Sequence, residues 1–197
     1  MDKGGERERS RGVYISQSPY VLWKKRIPWL LFLMVSATVS ALILARFESA
    51  LPSVLLIFVP MLMDTGGNCG AQASVTVIRA MSLGEVGFAE LPKIIRKEAA
   101  VGFFCGATLG AVAFFKVLLI DGWLLKNSAI NVSVACGIGA SVALTAPASK
   151  LIGSVLPILA KRLGIDPAVM VSPFITTLVD AVALLIYFLV SISVLFV

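Results

Sequence analysis

The stretch Pro60-Met-Leu-Met-Asp64-Thr-Gly-Gly-Asn68-Cys-Gly-Ala-Gln72-Ala-Ser-Val-Thr-Val-Ile-Arg79 decides how this chain is read. It lies in a long apolar run, yet it holds a proline, three glycines, a carboxylate and two amides. Asp, Asn and Gln are costly at bilayer depth, where they face a protein interior or a water-filled path. Closely spaced glycines and a proline let backbone carbonyls leave the helical ladder. A membrane tolerates that only where the carbonyls line a cavity or are buried in protein. The stretch therefore predicts a broken or loosened helix that offers oxygens to something polar, held in place by the rest of the chain.

Composition sets the surroundings. Of 197 residues, 58% are hydrophobic and 14% charged, and the mean hydropathy is +0.96. Soluble domains are about half apolar and about a quarter charged, so the expectation is an all-α integral membrane protein with one domain's worth of length. The net charge of +6 is not a nucleic-acid signal. Basic residues flank apolar segments, as juxtamembrane charge does, and no aromatics are interleaved with them. Cys69, Cys105 and Cys136 lie in apolar segments without metal-ligand spacing, and there is no His. Soft-metal sites are thereby disfavoured and oxygen ligands remain.

Residues 1–26 form a basic segment, with a short surface helix expected over Tyr14–Trp23 and no signal peptide. Residues 27–197 form the transmembrane domain. Five spans are expected near 28–46, 53–81, 98–119, 129–160 and 171–196. The second and fourth exceed the usual span length, with breaks expected at Gly66, Gly67 and Gly70 and at Pro147 and Pro157. The third carries Gly102, Gly106 and Gly110, a stripe that lets another helix approach closely. Thirteen Lys and Arg fall on one side of these spans and three on the other. That bias predicts a cytoplasmic N-terminus and a C-terminus outside. Lys150 falls inside the fourth span, to snorkel or to pair with a carboxylate. Glu98 is expected to pair with Lys97 or Arg96 at the cytoplasmic mouth.

In the last segment Asp166-Pro167 reads as a helix start. Further along, Thr176 and Asp180 are four apart and Pro173 and Asp180 seven apart, so they share a face with Thr177 nearby. Asp180 has no basic residue on its own helix to neutralise it. An intramembrane carboxylate is a functional-site hypothesis by default. Asp64 reads either as a second cation site or as a cap on the broken helix. Asn68 and Gln72 read either as part of a polar path or as helix–helix hydrogen bonds. An oxygen-only set with few carboxylates suits a hard cation, and Mg²⁺, which keeps several waters, fits such a set. The candidate metal-contacting residues are Asp180, Thr176, Thr177 and Ser172 with Asp64, Gly66, Gly67, Asn68, Gly70 and Gln72.

The pattern Pro60, Gly66-Gly67-Asn68-x-Gly70-x-Gln72, Arg79, Leu83-Gly84-Glu85, Lys97-Glu98, Leu156-Pro157, Asp166-Pro167-Ala168 and Pro173-x-x-Thr176-Thr177-x-x-Asp180 resembles the transmembrane domain of the MgtE magnesium channel and transporter family. Arg26-Ile-Pro28-Trp29-Leu30 is similar to the start of that family's first helix. The resemblance implies a homodimer of five-helix protomers in the plasma membrane, with a cation pore on the two-fold axis lined by the second and fifth helices. It implies Asp180 as the main ion-contacting acid, and backbone carbonyls at Thr176 and along Gly66–Gly70 as contacts for the hydrated ion. Members of that family carry a soluble N-terminal domain and a pair of CBS modules ahead of the first helix. This chain has a basic segment of about two dozen residues there, so conduction without such a sensor, or with a separate soluble partner, is the expectation.

The leading function is thus a channel or transporter for Mg²⁺, with Mn²⁺, Co²⁺ or Ca²⁺ as further candidates. Alternatives are a divalent-cation carrier coupled to Na⁺ or H⁺, and a non-conducting membrane anchor. The buried carboxylates argue against the anchor. An enzyme is not expected, because no His, nucleophile elbow or phosphate loop is present.

Overall fold

In the computed structural model, which describes residues 16–48, 51–165 and 167–195, five helices are long and apolar enough to cross a membrane. Helix α1 runs Pro19–Glu48. Helix α2, Val59–Ser82, follows a short helical turn at Ser53–Leu56. Helix α3, Leu91–Lys116, continues as a π-helix over Val117–Leu124. Helices α4, Val132–Arg162, and α5, Pro167–Leu195, complete the set. The chain divides into two units, Met1–Ser36 and Ala37–Val197. In the first, α1 starts behind Ser18 with a proline at its first turn, a position where the missing N–H costs nothing. Of the surface helix expected at Tyr14–Trp23, Pro19–Trp23 belong to α1, which passes through Pro28 unbroken, and Tyr14 lies outside the described residues.

Within the second unit α4 packs on α2, α3 and α5. The glycine stripe of α3 lies against it as expected. A Cβ built at Gly102 would sit 2.6 Å from Pro147 Cα, and one at Gly110 2.7 Å from Gly139 O. Between them, Gly106 faces the carbonyl of Ala143. Ala143 is four residues before Pro147, which has no N–H to give it. The carbonyl released by the proline is therefore covered by the Gly106 Cα of α3, in the manner of a weak Cα–H···O contact. This explains why Pro147 leaves α4 continuous rather than breaking it as expected. Pro157 also lies inside the unbroken helix, fully buried.

The break expected in α2 is likewise absent: Gly66, Gly67 and Gly70 all sit within one continuous helix. The chain turns earlier, at Ile57–Phe58. Gly66 and Gly70 serve packing. Gly66 faces Thr145 and Ser149 of α4 and Val179 of α5, and Gly70 faces Ser149 and Ile175. Gly153 of α4 lies directly on the Gly70 backbone, so α2 and α4 meet without an intervening side chain.

A buried cluster closes the far end of the bundle, joining Leu55, Phe58 and Leu62 to Ile138 and Val142 of α4 and to Leu184, Tyr187 and Phe188 of α5. Phe47 of α1 stacks on Phe188 at 4.6 Å. The Tyr187 hydroxyl donates to the Leu55 carbonyl at 2.7 Å, tying α5 to the turn before α2. Lys116 pairs with Asp121 at 2.8 Å across the first turn of the π-helix.

Three substitutions probe these contacts. Gly153→Ala drives a methyl into the Gly70 backbone and should cost about 1–3 kcal/mol or more, whereas Gly67→Ala meets no atom within 4 Å and should melt at or slightly above wild type. Tyr187→Phe should cost about 1 kcal/mol through the lost hydrogen bond. Thermal melts in detergent, read by size-exclusion chromatography, measure all three.

Candidate cation pathway

One face of α2 is polar and exposed. Asp64, Asn68, Gln72 and Thr76 recur every fourth residue along it, and all four are exposed. Residues at this spacing stack on one side of a helix. The Asn68 amide donates to Asp64 Oδ2 at 3.1 Å. Asp64 therefore does not cap a helix break, since none exists, and the Asn68 amide is engaged on its own helix. The hydroxyl of Thr76 is satisfied locally, donating to the Gln72 carbonyl at 2.9 Å.

Asp64, Asn68 and Gln72 line a cavity of about 540 Å³ between α2 and α3, whose opposite wall is Phe104, Cys105 and Thr108. Cys69 also lines it, and Lys150 of α4 lies within electrostatic reach of that thiol. Among the described residues no group of three or more His, Cys, Asp or Glu is placed to grip a bare metal ion. The crevice can instead offer one carboxylate and two amide oxygens to an ion that keeps its water.

The α5 candidates stand elsewhere. Asp180 is half-buried, Thr176 exposed and Thr177 half-buried, while Ile175 and Val179 between them are buried against Gly70 and Gly66. Asp180 thus follows directly on the α5 residue that touches α2. It is not among the residues that line the α2–α3 cavity. Gly67 is the α2 glycine that opens outward, whereas Gly66 and Gly70 are buried. The Ser172 side chain and Asp166 lie outside the described residues.

Two charged side chains depart from simple expectation. Of the two alternatives for Lys150, no carboxylate pairs with it among the described residues, and it is 5% exposed inside the bundle. Glu98 makes no ion pair with Lys97 or Arg96; it is buried at 9% exposure on α3. The signal was present in the spacing. Glu98, Gly102, Gly106 and Gly110 form one run at intervals of four, which turns Glu98 toward α4, whereas Lys97 on the next position faces away.

If the crevice is wet, single cysteines placed at Asn68 and Gln72 in a protein with its native cysteines replaced should react rapidly with a charged, membrane-impermeant thiol reagent. Cysteine at Val112, an exposed apolar position on α3, should react far more slowly. Mass spectrometry of the labelled protein in liposomes gives the comparison.

Residues 59–190 match the family model described as MgtE, divalent cation transporter. The chain is 36% identical over 177 residues to the magnesium transporter MgtE of Thermus thermophilus, an alignment covering 89% of this chain and 37% of that protein. It is 33% identical over 171 residues to the Bacillus subtilis magnesium transporter MgtE, covering 86% and 36%, and 30% identical over 176 residues to that of Enterococcus faecalis, covering 88% and 37%. The chain thus spans little more than a third of the length of these relatives. With the family model covering the helices from α2 through most of α5, the chain is a multi-pass membrane protein that belongs to the MgtE family of divalent cation transporters.

Proposed function

We propose that this chain conducts hydrated Mg²⁺ across the plasma membrane as a channel formed by two copies around a two-fold axis. The observation that carries the reading is the family match over residues 59–190, joined to relatives named as magnesium transporters. The geometry supports it in three ways. A row of Asp64, Asn68, Gln72 and Thr76 exposed on α2 is poorly matched to lipid, and covering it with a second protomer around a water-filled path removes that cost. The absence of a multi-carboxylate cluster among the described residues suits an ion bound through its water shell, as Mg²⁺ prefers. The basic side chains Arg79, Lys93, Arg96, Lys97, Lys161 and Arg162 gather around one end of the bundle, where Arg162 lies 3.9 Å over the Phe88 ring. By the positive-inside rule that end is cytoplasmic, and so is the N-terminus.

Asp180 is assigned the central ion contact, with Thr176 and Thr177 on the same helix, and the α2 polar row contributes further oxygens to the path. Two copies would bring two Asp180 carboxylates toward one axis. Their mutual repulsion is relieved by a divalent cation.

In proteoliposomes, Asp180→Asn should abolish Mg²⁺ flux or reduce it at least about tenfold, equivalent to about 1.4 kcal/mol, while leaving a folded, monodisperse protein. Asp180→Glu should retain partial flux. Near-normal flux through Asp180→Asn would reassign the central role to Asp64. Wild-type flux that requires a Na⁺ or pH gradient would replace the channel with a coupled exchanger.

A further inference from the structure

We propose that Glu98 forms a second divalent-cation site at the basic end of the α2–α3 crevice, in series with the α2 polar row. It rests on the cation-conducting reading above. Glu98 is nine-tenths buried, and among the described residues it has no hydrogen-bond or ion-pair partner. Its carboxylate borders a cavity of about 210 Å³ separate from the larger one. Its oxygens are not among the fully buried, unpartnered atoms, so the carboxylate opens on that space, and a cation there offsets the cost of its partial burial.

The cavity has the right surroundings for a hydrated ion. Thr76 lines it from α2, and Thr76 is the next step of the Asp64, Asn68, Gln72 row. Thr76 thus carries the polar row from the larger cavity to the edge of the smaller one, one helical turn on. At about 30 Å³ per water, the space admits several waters around an ion. Glu90 also borders it, but its carboxylate already accepts the Gly87 N–H at 2.9 Å. Lys93 and Lys97 stand exposed at the rim. Their charge lowers the affinity of the site, which suits an exit position that must release its ion.

A competing occupant of the Glu98 carboxylate is Lys150. The Gly102–Pro147 contact sets α3 and α4 in antiparallel register, so Glu98 and Lys150 each lie about one turn beyond it in the same direction along the bundle. No ion pair joins them. The test must still separate the two roles.

The probe is Mn²⁺, counted by electron paramagnetic resonance on the purified full chain in detergent, with size-exclusion profiles as the folding control. Wild type and Asp180→Asn should both bind one more Mn²⁺ per chain than their Glu98→Gln counterparts. Glu98→Asp should keep that ion at several-fold weaker affinity, which covers the case in which the Gln variant does not fold. In liposomes Glu98→Gln should lower Mg²⁺ flux several-fold. An unchanged Mn²⁺ count in Glu98→Gln, or wild-type affinity in Glu98→Asp, overturns the site. So does recovery of flux in Glu98→Gln/Lys150→Met, which would make Glu98 the lysine's counter-ion. Absence of wild-type Mg²⁺ flux would defeat the proposed function instead, and the Mn²⁺ count would still decide the site.

Discussion

Backbone-to-backbone contact between α4 and its two neighbours is the constraint on which the rest of this bundle depends. On one side Gly102, Gly106 and Gly110 bring α3 onto Pro147, Ala143 and Gly139. On the other, Gly153 rests on Gly70. Apolar burial between helices gains little when lipid is the alternative, so close packing of small residues must supply the association. The same contacts settle where each helix points its polar groups. With the glycine faces of α2 turned to α4 and α5, the Asp64, Asn68, Gln72 row is directed away from them. With the stripe of α3 turned to α4, Glu98 goes inside.

Proline and glycine therefore act here in a way opposite to their effect in isolation. Pro147 removes a hydrogen bond from α4, and α3 covers the orphaned carbonyl with a Gly106 Cα rather than with a donor. Gly66 and Gly70 of α2, which would loosen a solitary helix, are each held by neighbouring helices. What looked like a device for freeing carbonyls is a device for removing side chains from a seam. The polar groups available to a cation are then the side chains of the opposite face.

How much of this was legible follows from which physical terms act locally. Five spans could be read from hydropathy because the cost of exposing polar backbone to lipid is paid segment by segment. The helix-packing role of the α3 stripe was legible because a period of four in small residues has few other uses. The continuity of α2 and α4 was not, since propensity counts Gly and Pro as breakers while the compensation comes from another helix. Glu98 was misjudged by weighing its sequence neighbours over its position on the stripe. Lys150 could not be resolved, because nothing within one helix says whether a lysine stem leads out to water or into a bundle. Where Asp64 and Asp180 stand on the protomer depends on how α2 and α5 rotate, which is set by the Gly66–Val179 and Gly70–Ile175 contacts.

Length has a consequence for how the bundle meets its solvent. At about 1.5 Å per residue, the 31 residues of α4 extend about 46 Å, against a hydrocarbon layer of about 30 Å. Tilt absorbs part of the difference, and the rest must protrude. The charges on α4 beyond Lys150 lie at its C-terminal end, in Lys161 and Arg162, so the surplus emerges there. That end is also where Arg162 stacks over Phe88 and where the turn joining α2 to α3 runs. A thicker bilayer would draw this collar toward the hydrocarbon, and a thinner one would leave it further out. The thickness of the host membrane thereby becomes a mechanical load on the α2–α3 turn, at the mouth of the crevice, rather than on the glycine seams deeper in the bundle.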